Sequence, residues 1–215
     1  MSDINGYLIV AACAAIVTFA VTPFVMSLAR LKNWMAQPDP RKVHTTPTPD
    51  IGGVALLVGI ITALLLAWQM DRFGPLFDGS SEMLGVAIAA IAICAIGFID
   101  DVREISAPAK VAGTAGVGMV LVWAGVTMFY FRVPYFDVFV LSNDWIPLVT
   151  ILWLLVMTEA INLIDGLDGL ATGIVAIASA AFFLYSRHLG DLGLLAEPNI
   201  GPLVAAVTFG ACIGF

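Results

Sequence analysis

Three short segments of the sequence carry side chains that could take part in chemistry, and the most informative lies near residue 160. Glu159, Asn162 and Asp165 recur every third residue, so in a helix they form one slanted stripe. Two glycines follow and predict a break after that helix. Asp168, between them, suits either the site or the N-cap of the next helix. Ionisable side chains inside a long apolar run are costly and usually functional, so the stripe predicts a site.

The second segment is a pair of adjacent acids, Asp100 and Asp101, at the end of an apolar run. Carboxylates there face the negative end of the helix dipole, which costs stability unless a cation neutralises them. Arg103 could be this cation, and so could a divalent metal ion. Mg²⁺ is held by one or two carboxylates together with phosphates and waters, which suits such a pair. The alternative is a solvated helix end with an incidental acidic pair.

The third segment, residues 39–53, combines basic side chains, a histidine, three threonines and several prolines before a run that opens with Gly52 and Gly53. Lys and Arg supply charge for phosphates, while hydroxyls and free N–H groups at a helix start add donors. The alternative is an ordinary basic loop at a membrane surface. Together with the two acidic segments, this loop suits a phosphorylated, Mg²⁺-bound soluble substrate that meets a lipid.

The three segments are separated by apolar runs. Of the 215 residues, 60% are apolar and 12% are charged, whereas soluble domains have about 45–50% and about 25%. The runs approach the roughly 20 residues of a transmembrane helix, and they do not alternate as barrel strands do. The sequence therefore predicts an all-α, polytopic transmembrane helix bundle of about seven spans, with the last incomplete. The runs are Tyr7–Leu28, Ile51–Met70, Leu84–Ile99, Val111–Phe131, Trp145–Ile164, Leu170–Ser186 and Ile200–Phe215.

The basic residues predict the orientation, because Lys and Arg concentrate in cytoplasmic loops. Six of the nine lie on one face, and this places the N-terminus outside and the three chemical segments in the cytoplasm. The opposite loops, at residues 71–83, 132–144 and 187–199, are interpreted as connectors, the second with a small hairpin. The six are Arg30, Lys32, Arg41, Lys42, Arg103 and Lys110, and the other three are Arg72, Arg132 and Arg187.

Two further features exclude classes of function. The net charge is −7 and the basic residues are scattered, which argues against nucleic acid as a partner. The three cysteines, Cys13, Cys94 and Cys212, lie inside apolar runs, which argues against a disulfide framework and against thiolate chemistry.

The three segments resemble the motifs of the polyprenyl-phosphate N-acetylhexosamine-1-phosphate transferases, membrane enzymes that begin many bacterial glycans. The similarity covers residues 41–53, residues 97–101 followed by Lys110, and residues 162–171. The motifs occur in the family's order and at the ends of the apolar runs. The family has more than seven spans, so the resemblance implies that residues 1–215 are the N-terminal part of one larger transferase domain. Alone, this part is expected to be inactive.

The resemblance implies transfer of N-acetylglucosamine-1-phosphate (GlcNAc-1-phosphate) from UDP-GlcNAc to undecaprenyl phosphate, with release of UMP, at the bacterial cytoplasmic membrane. It also implies dependence on Mg²⁺, with Mn²⁺ as a substitute. The basic run with His44 favours the GlcNAc branch of the family, although Asp50 departs from the usual pattern. The implied site residues are Asp100, Asp101 and Asp168 for catalysis, Arg41, Lys42, His44, Gly52 and Gly53 for substrate binding, and Asn162, Asp165 and Asp101 for the metal.

Three alternatives stay open. The first is the branch of the same family that transfers phospho-N-acetylmuramoyl-pentapeptide. The second is an ion-coupled transporter in which Glu159, Asp165 and Asp101 bind the coupling ion. Transporter sites lie near the bilayer midplane on broken helices, often with repeats; here the acids cluster at one face and the sequence has no evident repeat, which favours the enzyme. The third is a membrane scaffold or assembly factor.

Overall fold

The structure is a computed structural model that describes residues 4–36, 48–49, 51–103, 105–132, 135, 138–165, 167, 169–195 and 198–215. Within these residues the chain is mainly helical, with two short antiparallel strand pairs. The helices are α1 (Ile4–Lys32), α2 (Gly53–Trp68), α3 (Gly74–Asp78), α4 (Glu82–Arg103), α5 (Ala107–Trp123), α6 (Ile146–Ile164), α7 (Leu170–Asp191) and α8 (Gly201–Gly214). The strands are β1 (Met35–Ala36), β2 (Thr48–Pro49), β3 (Tyr130–Arg132) and β4 (Val138–Val140).

Four helices, α1, α4, α6 and α7, are long and apolar enough to cross a membrane. A fifth span results if α2 is counted together with the segment Asp71–Asp78, which is bent from it by 93°. The remaining long helices, α5 and α8, have 17 and 14 residues, fewer than the roughly 20 of a typical span. The predicted polytopic helical membrane architecture is confirmed for the described residues, and the count of seven spans stays a prediction.

A helix occurs in each of the seven predicted runs, but the fourth run was predicted wrongly at its C-terminal end. Helix α5 ends at Trp123, where Gly125 takes a φ of 94° that favours glycine. The apolar residues that follow form β3, which pairs with β4 in the register Tyr130↔Val140. The predicted hairpin is present, although β3 begins two residues before the predicted segment 132–144. Apolar character continues from the helix into the strand, so it could not mark the boundary.

The first of two compact units comprises residues 1–79 and 164–215. In this unit α1 packs against α2 and α8, and α8 also packs against α7. Gly210 and Gly214 permit a close approach of α8 to α1, because a Cβ atom at either glycine would collide with the backbone of Ala11 or Ala15. Such contacts between small residues stabilise helix pairs in membranes, where lipid removes most of the hydrophobic driving force.

The second unit comprises residues 80–163 and contains α4, α5, the β3–β4 hairpin and most of α6. Helix α5 packs against α4, and Gly118 of α5 faces Ile151 of α6, where an added Cβ would lie 3.0 Å from Cγ1. The hydroxyl of Thr150 accepts a hydrogen bond from the backbone N–H of Met128 at 2.9 Å, which ties α6 to the chain before β3. The expectation of a single domain over residues 1–215 stays a prediction.

Candidate active site

The turn between α4 and α5 holds the first group of predicted site residues. Lys110 Nζ lies 3.1 Å from Asp100 Oδ2, and the backbone N–H of Ile105 donates a hydrogen bond to Asp100 Oδ1 at 3.2 Å. Both carboxylate oxygens of Asp100 are therefore engaged within the protein. The cation beside Asp100 is Lys110, whereas the sequence had suggested Arg103 or a metal ion.

The positions of Asp100 and Lys110 at two adjacent helix ends explain why they form an ion pair. Asp100 lies in the last turn of α4 and Lys110 in the first turn of α5. Each charge is unfavourable at its own helix end, because the dipole is negative at the C-terminus and positive at the N-terminus. The turn brings the two charges together and offsets both costs. Pro108 favours the early start of α5 that this geometry requires.

Asp101 differs from its neighbour in exposure. Successive residues of a helix are rotated by about 100°, so adjacent acids point to different sides. Asp101 is exposed, whereas the side chain of Asp100 retains only 26% of its accessible surface. The acidic pair therefore divides into one carboxylate that fixes the α4–α5 turn and one that a ligand can reach from solvent.

The end of α6 carries the second group. Glu159 is half-buried, and its Oε1 atom is buried with no hydrogen-bond partner among the described residues. Asn162, one turn later, is exposed. An unpartnered buried oxygen is costly, so it marks a position that a proton, an ion or a donor from a ligand could satisfy.

The predicted three-residue stripe was wrong in one member. Helix α6 ends at Ile164, and Asp165 follows it outside the helix and is exposed. The stripe thus holds for Glu159 and Asn162 only. The two glycines that follow Asp165 in the sequence, Gly166 and Gly169, disfavour continuation of the helix.

Two predicted substrate-binding glycines lie at the start of α2, Gly52 as its N-cap and Gly53 as its first residue, and they have different surroundings. A Cβ atom at Gly52 would lie 2.6 Å from Cζ of Phe215, so packing against this ring explains its small size. A Cβ atom at Gly53 would meet no described atom within 4 Å. Gly53 therefore stays a candidate for close approach of a ligand. The predicted residues Arg41, Lys42, His44 and Asp168 lie outside the residues that the structure describes.

The residues predicted to bind Mg²⁺ fit the ion by donor chemistry. Asp101, Asn162 and Asp165 are exposed and offer carboxylate and amide oxygens, the ligands that Mg²⁺ prefers. Mg²⁺ needs only one or two carboxylates when substrate phosphates complete its shell. In the described part of the chain, no three His, Cys, Asp or Glu side chains are gathered closely enough to hold a metal ion by themselves. The described residues thus suit an ion that arrives with a phosphorylated substrate.

Comparison with known proteins gives a family and several relatives. Residues 83–215 match the family described as glycosyl transferase family 4. The chain is 36% identical over 209 residues to the decaprenyl-phosphate N-acetylglucosaminephosphotransferase of Mycobacterium leprae, covering 94% of this chain and 52% of that protein. It is 32% identical over 191 residues to a probable undecaprenyl-phosphate N-acetylglucosaminyl 1-phosphate transferase of Bacillus subtilis, covering 88% of this chain and 50% of the relative.

A third relative belongs to the other branch considered above. The chain is 30% identical over 246 aligned residues to the phospho-N-acetylmuramoyl-pentapeptide-transferase of Mycobacterium bovis, covering 97% of this chain and 67% of that protein. The chain spans about half the length of the first two relatives. The muramoyl relative is thus the more distant of the three by identity.

Proposed function

The chain belongs to glycosyl transferase family 4, and on this basis we propose that its protein transfers GlcNAc-1-phosphate from UDP-GlcNAc to a polyprenyl phosphate. The observation that carries this proposal is the 36% identity, over 94% of the chain, to a protein named for the transfer of N-acetylglucosamine phosphate to decaprenyl phosphate. Undecaprenyl phosphate is the acceptor that we infer, and initiation of a cell-envelope glycan is the proposed role. The second product is UMP.

In the proposed reaction, an oxygen of the lipid phosphate attacks the β-phosphorus of UDP-GlcNAc. A new phosphorus–oxygen bond forms to the lipid, and the bond between the two phosphates of UDP breaks to release UMP. Such a transfer depends on positioning and on neutralised charge more than on covalent chemistry by the protein. A direct attack in a single step accounts for both the bond that forms to the lipid and the bond that breaks to release UMP.

The exposed acids are the proposed reactive groups. We assign Asp101 the acceptance of the proton from the lipid phosphate, whose second pKa of about 6 requires little base strength. Asp100 is engaged by Lys110 and the Ile105 N–H, which supports a positioning role for Asp100. Asp168 stays a candidate for catalysis from the sequence alone.

Asp101, Asn162 and Asp165 would hold Mg²⁺ or Mn²⁺ together with the substrate phosphates. When bound, the ion would supply positive charge to the pyrophosphate as the bond to UMP breaks. We propose that the basic loop, through Arg41, Lys42 and His44, steadies the phosphates of the lipid or the nucleotide. Gly53 would admit a ligand at the start of α2, and substrate binding by Gly52, which packs against Phe215, stays a prediction from the sequence.

We also propose that the protein resides in the bacterial cytoplasmic membrane with its N-terminus outside and the proposed site on the cytoplasmic face. The six-to-three distribution of basic residues supports this orientation. Cysteines introduced near Lys42 and Val102 should react only with reagents that enter the cytoplasm. Labelling of both from outside intact cells would exclude this orientation.

The experiment that tests the function compares two sugar nucleotides with the full-length protein in membranes. UMP release should require undecaprenyl phosphate and Mg²⁺, and UDP-GlcNAc should be a much better substrate than UDP-MurNAc-pentapeptide. The reverse preference would assign the protein to the muramoyl branch, and no release with either would refute the transferase. Residues 1–215 expressed alone are proposed to insert without turnover, and robust synthesis by them would contradict this.

A further inference from the structure

The first unit contains a cavity of about 330 Å³ that the proposed transfer does not use. It lies where α1 begins and α7 ends, and two arginines line it. Arg72 Cζ lies 4.9 Å from the centroid of the Tyr7 ring, and Arg187 Cζ lies 5.6 Å from the same centroid. Residues 65 or more positions apart in sequence thus bring two guanidinium groups to one aromatic ring. Both arginines belong to segments that the sequence predicted to be connectors, although Arg187 lies within α7.

The charge around the cavity favours an anion. Among the described residues that line the cavity, two arginines accompany one acid, Asp191, while Ser186 and Asn199 add neutral polar groups. Within the described residues, no carboxylate pairs with Arg72 in a salt bridge. Guanidinium groups prefer the oxygens of phosphate, which they bind through paired hydrogen bonds.

The side chain of Arg72 packs against Gly6 of α1. A Cβ atom at Gly6 would lie 2.9 Å from Arg72 Cδ and 3.2 Å from Nε, so the arginine stem rests against the backbone of α1. The ring of Phe73 also lies 5.6 Å from Arg72 Cζ. Aromatic rings on a guanidinium group fix its position and leave its N–H groups at the ring edge for a ligand. The position of Arg72 is therefore set by packing.

An apolar groove adjoins this cavity. Its volume is about 200 Å³, and its lining is almost wholly apolar. Tyr7 lines both the cavity and the groove, so the two spaces meet at its side chain. Residues of α1, α7 and α8 form the groove: Leu8, Ala11, Ala180, Phe183, Leu184, Ala206 and Phe209. A hydrocarbon chain suits such a lining, because burying apolar surface contributes about 25 cal/mol per Å².

We propose that this end of the first unit binds an anionic phospholipid, with its phosphate on Arg72 and Arg187 and one hydrocarbon chain in the groove. The charge complements a phosphate, and the shared Tyr7 joins the headgroup space to the chain space. This site is distinct from the proposed transfer site: within the same unit, the predicted substrate-binding Gly52 contacts Phe215 at the other end of α8. Free phosphate offers the same headgroup chemistry without the chain.

The test measures ligand retention by the full-length protein with native mass spectrometry. The ligands are phosphatidylglycerol, phosphatidylcholine with the same chains, glycerol-1-phosphate and inorganic phosphate. Phosphatidylglycerol should bind at least about tenfold more tightly than each of the others, because charge-assisted hydrogen bonds and chain burial both contribute. Equal binding of phosphatidylcholine would overturn the anionic preference. Equal binding of either free phosphate compound would overturn the lipid assignment.

The variants Arg72→Gln and Arg187→Gln should each weaken phosphatidylglycerol binding about tenfold, and the double variant should abolish it. Arg30→Gln removes the same charge from the last turn of α1 and should leave binding unchanged. Arg72→Lys keeps the charge but loses the planar fork, so it should weaken binding while preserving the fold. Unchanged affinity in Arg72→Lys and Arg72→Gln, or retention by a folded double variant, would overturn the proposal.

Discussion

The two compact units differ in how much of their helices they bury. In the first unit, eight of the 14 residues of α8 are buried, whereas in the second unit Thr150 is the one buried residue among the 19 of α6. Helix α8 is a packing element between α1 and α7, whereas α6 buries none of its apolar side chains and exposes six of them. The second unit, which buries fewer of its helix residues, contains four of the residues discussed for the site: Asp100, Asp101, Glu159 and Asn162.

Because of this difference, we expect substitutions to affect mainly stability in the first unit and mainly turnover in the second. In the first unit, helix backbones approach through glycines, so an added methyl group should affect stability. In the second unit, the proposed reactive groups lie at exposed helix ends, so a change of charge should affect turnover with little effect on stability. Four substitution experiments test this contrast.

The largest effect is expected from Asp101→Asn in the full-length protein. Removal of a proton acceptor should lower turnover about 100- to 10,000-fold. The thermal unfolding temperature should hardly change, because the side chain is exposed. Turnover of the variant near that of the wild type would remove Asp101 from the proposed mechanism. A large loss of stability would show that Asp101 stabilises the fold and does not act mainly in turnover.

The second effect concerns packing in the first unit. Gly210→Ala should destabilise the protein by about 1–3 kcal/mol, since the new Cβ would lie 2.7 Å from the carbonyl carbon of Ala11. Gly116→Ala is the matched control, because a Cβ there meets no described atom within 4 Å. Thermal unfolding in detergent compares them. Equal stability of the two variants would show that the close approach of α8 to α1 contributes little.

The third effect concerns the metal. Asn162→Ala and Asp165→Asn should each raise the Mg²⁺ concentration needed for half-maximal UMP release, by about tenfold, because the first removes an amide oxygen and the second removes the negative charge of a carboxylate ligand. Turnover at saturating Mg²⁺ should fall less. Gly173→Ala, beyond the start of α7, serves as the control because its added Cβ meets no described atom. An unchanged Mg²⁺ requirement in both variants would refute their assignment as ligands.

The smallest effect is expected from the Asp100–Lys110 pair. A double-mutant cycle with Asp100→Asn and Lys110→Met should give a coupling energy of about 0.5–1 kcal/mol, because the pair is partly exposed. Activity should fall in Asp100→Asn through displacement of Asp101, and KM for both substrates should rise with it. A coupling energy near zero would mean that the turn between α4 and α5 does not depend on the ion pair.

Much of the helical architecture could be predicted from apolar runs alone. The sequence could not locate the end of α5, since apolar residues continue from Trp123 into β3 and only Gly125 marks the change of backbone. The end of α6 before Asp165 was missed for a similar reason: spacing by three residues fits a helix without showing where it stops. Both errors concern boundaries, which periodicity determines poorly.

The contacts between distant residues were the least predictable part. Lys110 is ten positions from Asp100, and their pairing depends on the short turn that joins the two helices. The convergence of Arg72 and Arg187 on Tyr7 brings together the segment Asp71–Asp78, α7 and α1, which are distant in sequence. The sequence offers one signal: these two arginines belong to the face that is predicted to lie outside and to carry few basic residues. Such an exception can indicate a binding site.

The most direct test of the proposed transfer follows the β-phosphate of the sugar nucleotide. Full-length protein is incubated with undecaprenyl phosphate, Mg²⁺ and UDP-GlcNAc that is radiolabelled at the β-phosphorus, and the lipid is extracted. We expect the label to move into the lipid, an equal amount of UMP to form, and a chelator of Mg²⁺ to stop both. Label that remains in the aqueous phase as UDP, with the sugar alone on the lipid, would contradict the account.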